Sequence, residues 1–92
     1  MQVIWSLQAR LQLDALVRYI ARDDIDTALH MDDLICNAAE GLCQFPLKGK
    51  SGRVEGTREL VVHPNYILVY AIDGRTINIA SVLHAAQQYP PE

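Results

Sequence analysis

The side chains best suited to bind an anion lie in one short basic segment. Four of the chain's eight lysines and arginines fall within eleven positions: Lys48, Lys50, Arg53 and Arg58. Residues 48–52 also carry two glycines, so we expect a flexible loop there. A basic segment of this kind is typical either of a solvated surface or of a site that receives an acidic partner or a phosphate group.

A second charge cluster lies in the first half of the chain and is acidic. Five of the eleven acidic residues fall within eleven positions: Asp23, Asp24, Asp26, Asp32 and Asp33. The whole chain has a net charge of −3 with its histidines neutral. That charge gives no overall attraction to nucleic acid.

The histidines and cysteines do not indicate a metal site. His30, His63 and His84 are scattered, and no CxxC or HxxxH pattern occurs, so we expect neither a metal nor a cofactor. Cys36 and Cys43 on one helix would lie ~10 Å apart along its axis. A disulfide needs Cα atoms within ~7 Å, so the two thiols cannot pair there. We interpret both as small buried hydrophobic side chains.

The elements that position these residues begin with a short strand and two helices. Residues 2–5 are rich in β-forming side chains, and Ser6 is a suitable N-cap for a helix over 7–22. Asp23-Asp24 can cap a second helix over 25–44, which Pro46 would end. Apolar residues follow the helical period in both segments: Ala9, Leu13, Leu16, Val17 and Ile20, then Ala28, Met31, Ile35, Ala38, Ala39 and Leu42. Because the turn between the two helices is short, they must be antiparallel neighbours.

The second half of the chain changes to the strand period. Residues 58–63 predict one strand, 66–72 a central strand that is apolar on both faces, and 76–84 its partner. The tail over 85–92 is expected to be irregular. The expected fold is therefore β-α-α-β-β-β in the α+β class, a helical hairpin packed on one face of a small, mostly antiparallel sheet.

The turn between the last two strands predicts their register. Asp73-Gly74 is a strong signal for a two-residue type I′ turn. That turn would set Tyr70 opposite Ile77 and Leu68 opposite Ile79, with all four side chains on the face that meets the helices. We expect five apolar residues in particular to be buried: Leu16, Ile20, Ile35, Leu68 and Ile79.

Length and hydropathy limit the class of protein. Ninety-two residues, half of them apolar, predict a single domain over residues 1–92. The longest apolar run, 66–72, is far below the ~20 residues that a membrane span needs. No basic leader precedes the first strand. We therefore expect a soluble, cytoplasmic protein without a membrane partner.

Short blocks of sequence, in their order and spacing, carry a resemblance to a known family. They are Trp5-Ser6, 19–21, Phe45-Pro46, 52–54, 56–62, 65–70, 82–84 and 87–90. Over nearly its whole length the chain resembles the toxins of the RelE/ParE superfamily of bacterial toxin–antitoxin modules. The resemblance implies a small toxin that a co-expressed antitoxin holds inactive in a hetero-oligomer.

The family contains two main activities. RelE-like members cleave messenger RNA on the ribosome, whereas ParE-like members poison DNA gyrase and are not nucleases. Metal-free RNA cleavage needs a base for the 2′-hydroxyl, an acid for the leaving oxygen and cations for the phosphate. The side chains available for these roles are Arg53, Glu55, Arg58, His84 and Tyr89.

Three features of the chain favour the ParE-like branch. Many nucleases of the family carry an arginine directly before the Leu-Val-Tyr strand, where this chain has Ile67. The tail over 85–88 lacks the basic residues of many relatives. The chain is also net acidic, which disfavours binding to the phosphate-rich ribosome. We expect a gyrase inhibitor without catalytic residues. The alternative is a RelE-like ribosome-dependent nuclease in which His84 and Tyr89 transfer protons and Arg53 and Arg58 bind phosphate.

A partner surface is also expected. A domain of this size buries only about two-thirds of its unfolded surface, and a groove between the helical hairpin and the sheet would suit an amphipathic antitoxin helix. Lys48, Lys50, Arg53 and Arg58 are the candidate antitoxin- or target-binding residues.

Several of these residues also have an ordinary structural interpretation. Arg58 and Glu59 could form a simple ion pair at a strand start, whereas Arg53 has no evident packing reason to be arginine. Tyr66 and Tyr70 alternate on one strand face, which favours the core. For His84, a structural role and a functional role stay open.

Overall fold

Two helices and five strands make up the protein. The computed structural model describes residues 1–91. The chain runs β1 (Gln2–Trp5), α1 (Leu7–Ala21), α2 (Ile25–Gly41), β2 (Lys50–Ser51), β3 (Arg58–His63), β4 (Tyr66–Asp73) and β5 (Thr76–His84). The α+β class and the predicted order of elements are confirmed, with β2 as one added strand. Residues 85–91 contain no helix or strand, as expected for the tail; Glu92 lies outside the described residues.

The five strands form one sheet in the order β1-β5-β4-β3-β2. β1 runs parallel to β5, and the other neighbours are antiparallel. β4 is the central strand, as its two apolar faces predict. The helices cover one face, where Tyr70, Leu68 and Ile79 are fully buried together with Ile35 of α2.

Each helix begins at the predicted cap. Ser6 Oγ accepts a hydrogen bond from the Ala9 N–H at 3.0 Å, and Asp24 Oδ1 accepts one from the Thr27 N–H at 3.1 Å. The hydrogen bond from Thr27 holds the pKa of Asp24 below its usual value. These bonds satisfy amide donors that have no partner inside the helix.

The predicted end of the second helix is wrong by three residues. α2 ends at Gly41, before Pro46 is reached, and the following amides bond three residues back, from Leu42 to Ala39 and from Cys43 to Glu40. Glycine is a poor helix former, and the three-residue bonds tighten the chain into turns there. Proline was therefore not needed to end α2.

The basic segment is more ordered than the sequence predicts. Lys50 and Ser51 form β2, which pairs antiparallel with Glu59 and Arg58 of β3. Gly49 is pressed against the sheet, because a Cβ atom there would lie 2.8 Å from both the Glu59 carbonyl oxygen and the Tyr70 hydroxyl. The prediction of a flexible loop over 48–52 is wrong for this part of the segment.

The predicted register of the last hairpin is also wrong, although the faces are right. Tyr70 lies opposite Ile79 and Leu68 opposite Val82, with a bulge after Ile79. Gly74 has φ +57°, whereas no other residue type among residues 1–91 has a positive φ. Asp73 therefore cannot supply the first position of a type I′ turn, and the turn falls on Gly74 and Arg75. Partners shift by two positions between the turn and the bulge, and by three positions beyond it. The bulge absorbs the odd position, so the four side chains stay on their predicted face.

Burial of α1 is incomplete. Ile35, Leu68 and Ile79 are fully buried as expected, but Leu16 and Ile20 are only half-buried. Leu16 borders an open groove beside the sheet, so the expectation of full burial is wrong for the exposed side of α1. Trp5 is half-buried and packs against the core. Within residues 1–91, neither helix has the length and apolar character of a membrane span.

Candidate functional site

A groove runs between α1 and the ends of β4 and β5. Its volume is about 540 Å³. The residues that line it are Gln12, Ala15, Leu16, Tyr19, Tyr66, Val82, Leu83, His84 and Gln87. The groove is mostly apolar, with polar groups at its margin. It lies between the helical hairpin and the sheet, where the sequence predicts a partner surface.

Two polar side chains, one from the N-cap of α1 and one from the helix itself, take the place of a neighbouring strand beside β5. β1 ends at Trp5, opposite Ile79, so within residues 1–91 β5 has no strand partner on that side beyond this point. Ser6 Oγ donates to the Ala80 carbonyl at 3.0 Å, and Gln12 Oε1 accepts from the Val82 N–H at 2.7 Å. The sequence analysis missed these roles. One feature of the sequence could have indicated them. A serine and a glutamine lie six positions apart, and the alternation of apolar and polar residues is interrupted in the part of β5 that they bind.

His84 lies in the groove at the end of β5. Its ring contacts Tyr66 edge-on, with ring centroids 5.6 Å apart, and Tyr66 also lies 5.6 Å from the ring of His63. His84 Nδ1 accepts a hydrogen bond from the Ala86 N–H at 3.1 Å. This bond occupies the lone pair of Nδ1, and His84 as a whole is exposed. One face of His84 is therefore structural, and the other is free to meet a partner.

Arg53 has an internal partner that the sequence analysis missed. Its Nε and Nη2 atoms donate to the Glu59 carboxylate at 2.9–3.2 Å, and its backbone N–H donates to Glu59 Oε2 at 2.7 Å. The Glu59 side chain is 2 % exposed. The interpretation that Arg53 has no packing role is wrong, because this arginine neutralises a buried carboxylate.

The guanidinium of Arg53 lowers the pKa of Glu59 below its ordinary value, mainly through these hydrogen bonds. Tyr89 of the tail lies over Arg53, with the guanidinium carbon 5.3 Å from the ring centroid. That distance is typical of a cation–π contact. Arg53 therefore also joins the tail to the sheet.

The simple ion pair considered for Arg58 and Glu59 does not form among the described residues. Neighbouring residues on a strand point to opposite faces of the sheet, so their side chains cannot meet. Arg58 instead donates to the Gly49 carbonyl from Nε at 3.1 Å and from Nη2 at 2.6 Å, and to the Leu47 carbonyl at 3.2 Å. Arg58 thus holds the chain between α2 and β2.

The structure does not bring the four candidate nuclease residues together. His84 lies opposite Tyr66 and Arg58 lies opposite Tyr70, four positions further along β4, a separation of about 13 Å along the strand. Glu59 lies opposite Val69, on the face of the sheet away from the helices. It binds Arg53 on that face, and Tyr89 lies over the guanidinium of Arg53. His84 lies on the helix face. Only Arg53 and Tyr89 are neighbours.

The two cysteines are free thiols. Cys36 lies on α2, and burial, reinforced by nearby Asp32, raises its pKa above the ordinary value. A raised pKa keeps the thiol protonated. Both cysteines are only half-buried, so the prediction that they are buried side chains is wrong. Cys43 lies beyond the end of α2. Within residues 1–91, no group of three or more histidine, cysteine, aspartate or glutamate residues could hold a metal ion.

The fold and the groove can be compared with known proteins. A family model described as the ParE toxin of the type II toxin–antitoxin system parDE matches residues 3–89. Protein Y4kP of Sinorhizobium fredii, assigned as a toxin, is 39% identical over 90 residues, which cover 97% of this chain and 93% of Y4kP. Toxin RelE2 of Caulobacter vibrioides is 31% identical over 86 residues, covering 94% of this chain and 97% of that toxin.

Solved structures share the architecture. The chromosomal ParDE system from P. aeruginosa contains a chain with a TM-score of 0.78 and 22% identity, covering 91% of this chain and 95% of that one. A YoeB/ParE toxin from Agrobacterium tumefaciens has a TM-score of 0.65 and 15% identity, with 91% and 98% of the two chains covered. The helical hairpin on its mostly antiparallel sheet is thus the fold of the RelE/ParE superfamily of toxins. Within that class, the chain belongs to the ParE toxin family of type II toxin–antitoxin systems.

Proposed function

We propose that this toxin acts by binding and inhibiting DNA gyrase, without acid–base chemistry of its own. The supporting observation is the engagement of its arginines. Arg53 is bound to buried Glu59, and Arg58 is bound to the carbonyls of Leu47 and Gly49. A metal-free ribonuclease needs such cations at the scissile phosphate, beside its acid and base. Here they stabilise the fold instead, at two places distant from His84.

The net charge and the family match also favour gyrase over the ribosome as the target. The net charge of −3 disfavours docking among the dense phosphates of the ribosome. The family model that spans residues 3–89 is that of ParE toxins. A target inside the bacterial cell also fits the proposed cytoplasmic location.

A cognate antitoxin is the second proposed partner. The family is part of a two-component system, and the groove beside α1, with a volume of about 540 Å³, offers a mostly apolar surface for an amphipathic helix. We further propose that Lys50 attracts acidic groups of the antitoxin during the encounter. Raised salt, or charge reversal at Lys50, is then expected to slow association. An association rate independent of salt would contradict this steering.

The test of the proposed mechanism measures messenger RNA cleavage on ribosomes. Purified toxin is added to ribosomes with a defined message, and the cut sites are mapped by primer extension. We expect the message to stay intact, and we expect cells that produce the toxin to form filaments and to show DNA damage signalling. A known ribosome-dependent nuclease in a parallel reaction is the positive control.

The RelE-like alternative keeps one specific observation in its favour. A relative that is 31% identical is named as toxin RelE2, and His84 is exposed at the groove. Codon-positioned cleavage that disappears in His84→Ala or Tyr89→Phe would establish this alternative. His84 and Tyr89 would then be the proton-transfer pair, with Arg53 and Arg58 as phosphate ligands.

A further inference from the structure

An exposed apolar patch lies at the end of the sheet opposite the groove. It consists of Phe45, Pro46, Leu47 and Ile72, and we name it the loop patch. Phe45 and Leu47 are 60% and 69% exposed. Phe45, Pro46 and Leu47 line one surface depression, and Leu47 and Ile72 border a second, mostly polar one, so Leu47 connects the two parts of the patch. Single exposed apolar residues are ordinary, but a continuous apolar patch marks an interaction surface.

The chain that presents this patch is fixed from inside. The Tyr70 hydroxyl is fully buried, donates to the Pro46 carbonyl at 2.7 Å and accepts from the Gly49 N–H at 3.0 Å. Arg58 holds the carbonyls of Leu47 and Gly49. A buried tyrosine and an arginine therefore set the backbone while the apolar side chains point outward. Such preorganisation removes much of the ordering entropy that binding would otherwise cost.

The charges around the loop patch are basic. Lys48 lies in the same depression as Phe45 and Leu47, and Arg58 borders the second depression beside Leu47 and Ile72. The complementary partner surface is an apolar pocket edged by carboxylates.

The loop patch is separate from the groove. Tyr66 marks the groove and Ile72 the patch, at opposite ends of β4. Six strand positions separate them, which corresponds to about 20 Å. The protein can therefore use the two surfaces for two different partners.

We propose that the loop patch is the surface through which this toxin docks on DNA gyrase, with Phe45 and Leu47 entering an apolar pocket edged by carboxylates. This inference rests on the proposed function. It assigns the groove to the antitoxin and the loop patch to the target.

The test compares a patch variant with a matched control. The patch variant carries Phe45→Ser and Leu47→Ser together. The control is Leu29→Ser on α2, since Leu29 is 57% exposed and lies in neither surface. Circular dichroism and thermal melting check that both variants fold. Three quantities are measured: inhibition of gyrase supercoiling, affinity for immobilised gyrase, and affinity for the antitoxin.

We expect the patch variant to need at least tenfold more protein to inhibit gyrase, with a matching loss of affinity for gyrase. Its affinity for the antitoxin should stay within threefold of the native value, and Leu29→Ser should behave as native throughout. Lys48→Glu should also weaken gyrase inhibition, most strongly at low salt.

The other outcomes each overturn the inference in a recognisable way. If native toxin and patch variant inhibit gyrase equally, the loop patch is not the docking surface, while the proposed function stands. If the patch variant loses antitoxin affinity tenfold, the patch is an antitoxin surface. If native toxin does not inhibit gyrase at all, the proposed function fails and the docking inference fails with it.

Discussion

Removal of the Tyr70 hydroxyl tests how the loop patch is held. In Tyr70→Phe the ring stays in the core, but the hydrogen bonds to the Pro46 carbonyl and from the Gly49 N–H are lost. Gly49 is buried, so its N–H is left without a partner in a place that water reaches poorly. An unsatisfied buried donor costs about 1–3 kcal/mol, and a lost hydrogen bond costs about 1 kcal/mol net. We therefore expect Tyr70→Phe to lower the free energy of unfolding by about 2–4 kcal/mol.

Two measurements test this prediction, one of the stability of the whole protein and one of the loop at Lys48 and Gly49. Urea unfolding followed by the fluorescence of Trp5 gives the change in free energy, and a change of 2 kcal/mol corresponds to a melting temperature about 8–16 °C lower. Amide hydrogen exchange should quicken at Lys48 and Gly49 before it quickens in β4 and β5. A loosened patch should also inhibit gyrase several-fold less well.

The matched control is Tyr66→Phe. The Tyr66 ring lies among His63 and His84, and no hydrogen bond of its hydroxyl is seen in the described residues. This variant should change the free energy of unfolding by less than about 0.5 kcal/mol. If Tyr70→Phe costs no more than Tyr66→Phe, or if exchange at Gly49 is unchanged, the Tyr70 hydroxyl does not hold the loop.

Three further predictions concern the core, the buried carboxylate and the groove. Leu68→Ala, at a fully buried position, should lower the free energy of unfolding by ~2–5 kcal/mol; urea unfolding measures it, and a cost below 1 kcal/mol would contradict the assigned core face. Glu59 has a lowered pKa in the folded state, so its stabilisation is present above the ordinary glutamate pKa and is lost as pH falls through the folded value. The native protein should therefore lose more free energy of unfolding between pH 7 and pH 3 than Glu59→Gln does, as measured by urea unfolding at both pH values. An equal loss in the two proteins would contradict this role of Glu59. His84→Ala and Tyr89→Phe, if folded, should not abolish growth inhibition in cells, whereas loss of a nuclease's acid or base costs ~10²–10⁴ in rate.

Local sequence signals predicted the elements well because they depend on short-range physics. Ser6 and Asp24 begin the helices where their side chains can accept amide hydrogen bonds. The two apolar faces of β4 predicted its central place. The predicted register of the hairpin was wrong because an Asp-Gly pair is compatible with two turns, one centred on Asp73 and Gly74 and the other on Gly74 and Arg75. The choice depends on whether Asp73 or only Gly74 takes a positive φ.

Long-range pairs could not be predicted in the same way. Arg53 and Glu59 are six positions apart across a loop, and only the fold shows that Glu59 is buried. One signal was available, since a carboxylate inside an apolar strand demands a nearby cation. The contacts of Arg58 with the Leu47 and Gly49 carbonyls have no sequence signal, because any arginine can bind a carbonyl that the fold brings near.

The proposal that this toxin acts on gyrase is tested most directly by supercoiling of relaxed plasmid with purified gyrase. Native toxin is titrated into the reaction, and the cognate antitoxin is then added in equal amount. We expect supercoiling to stop as toxin is added and to return with the antitoxin. Undiminished supercoiling at saturating toxin, alongside messenger RNA cleavage on ribosomes by the same preparation, would contradict it.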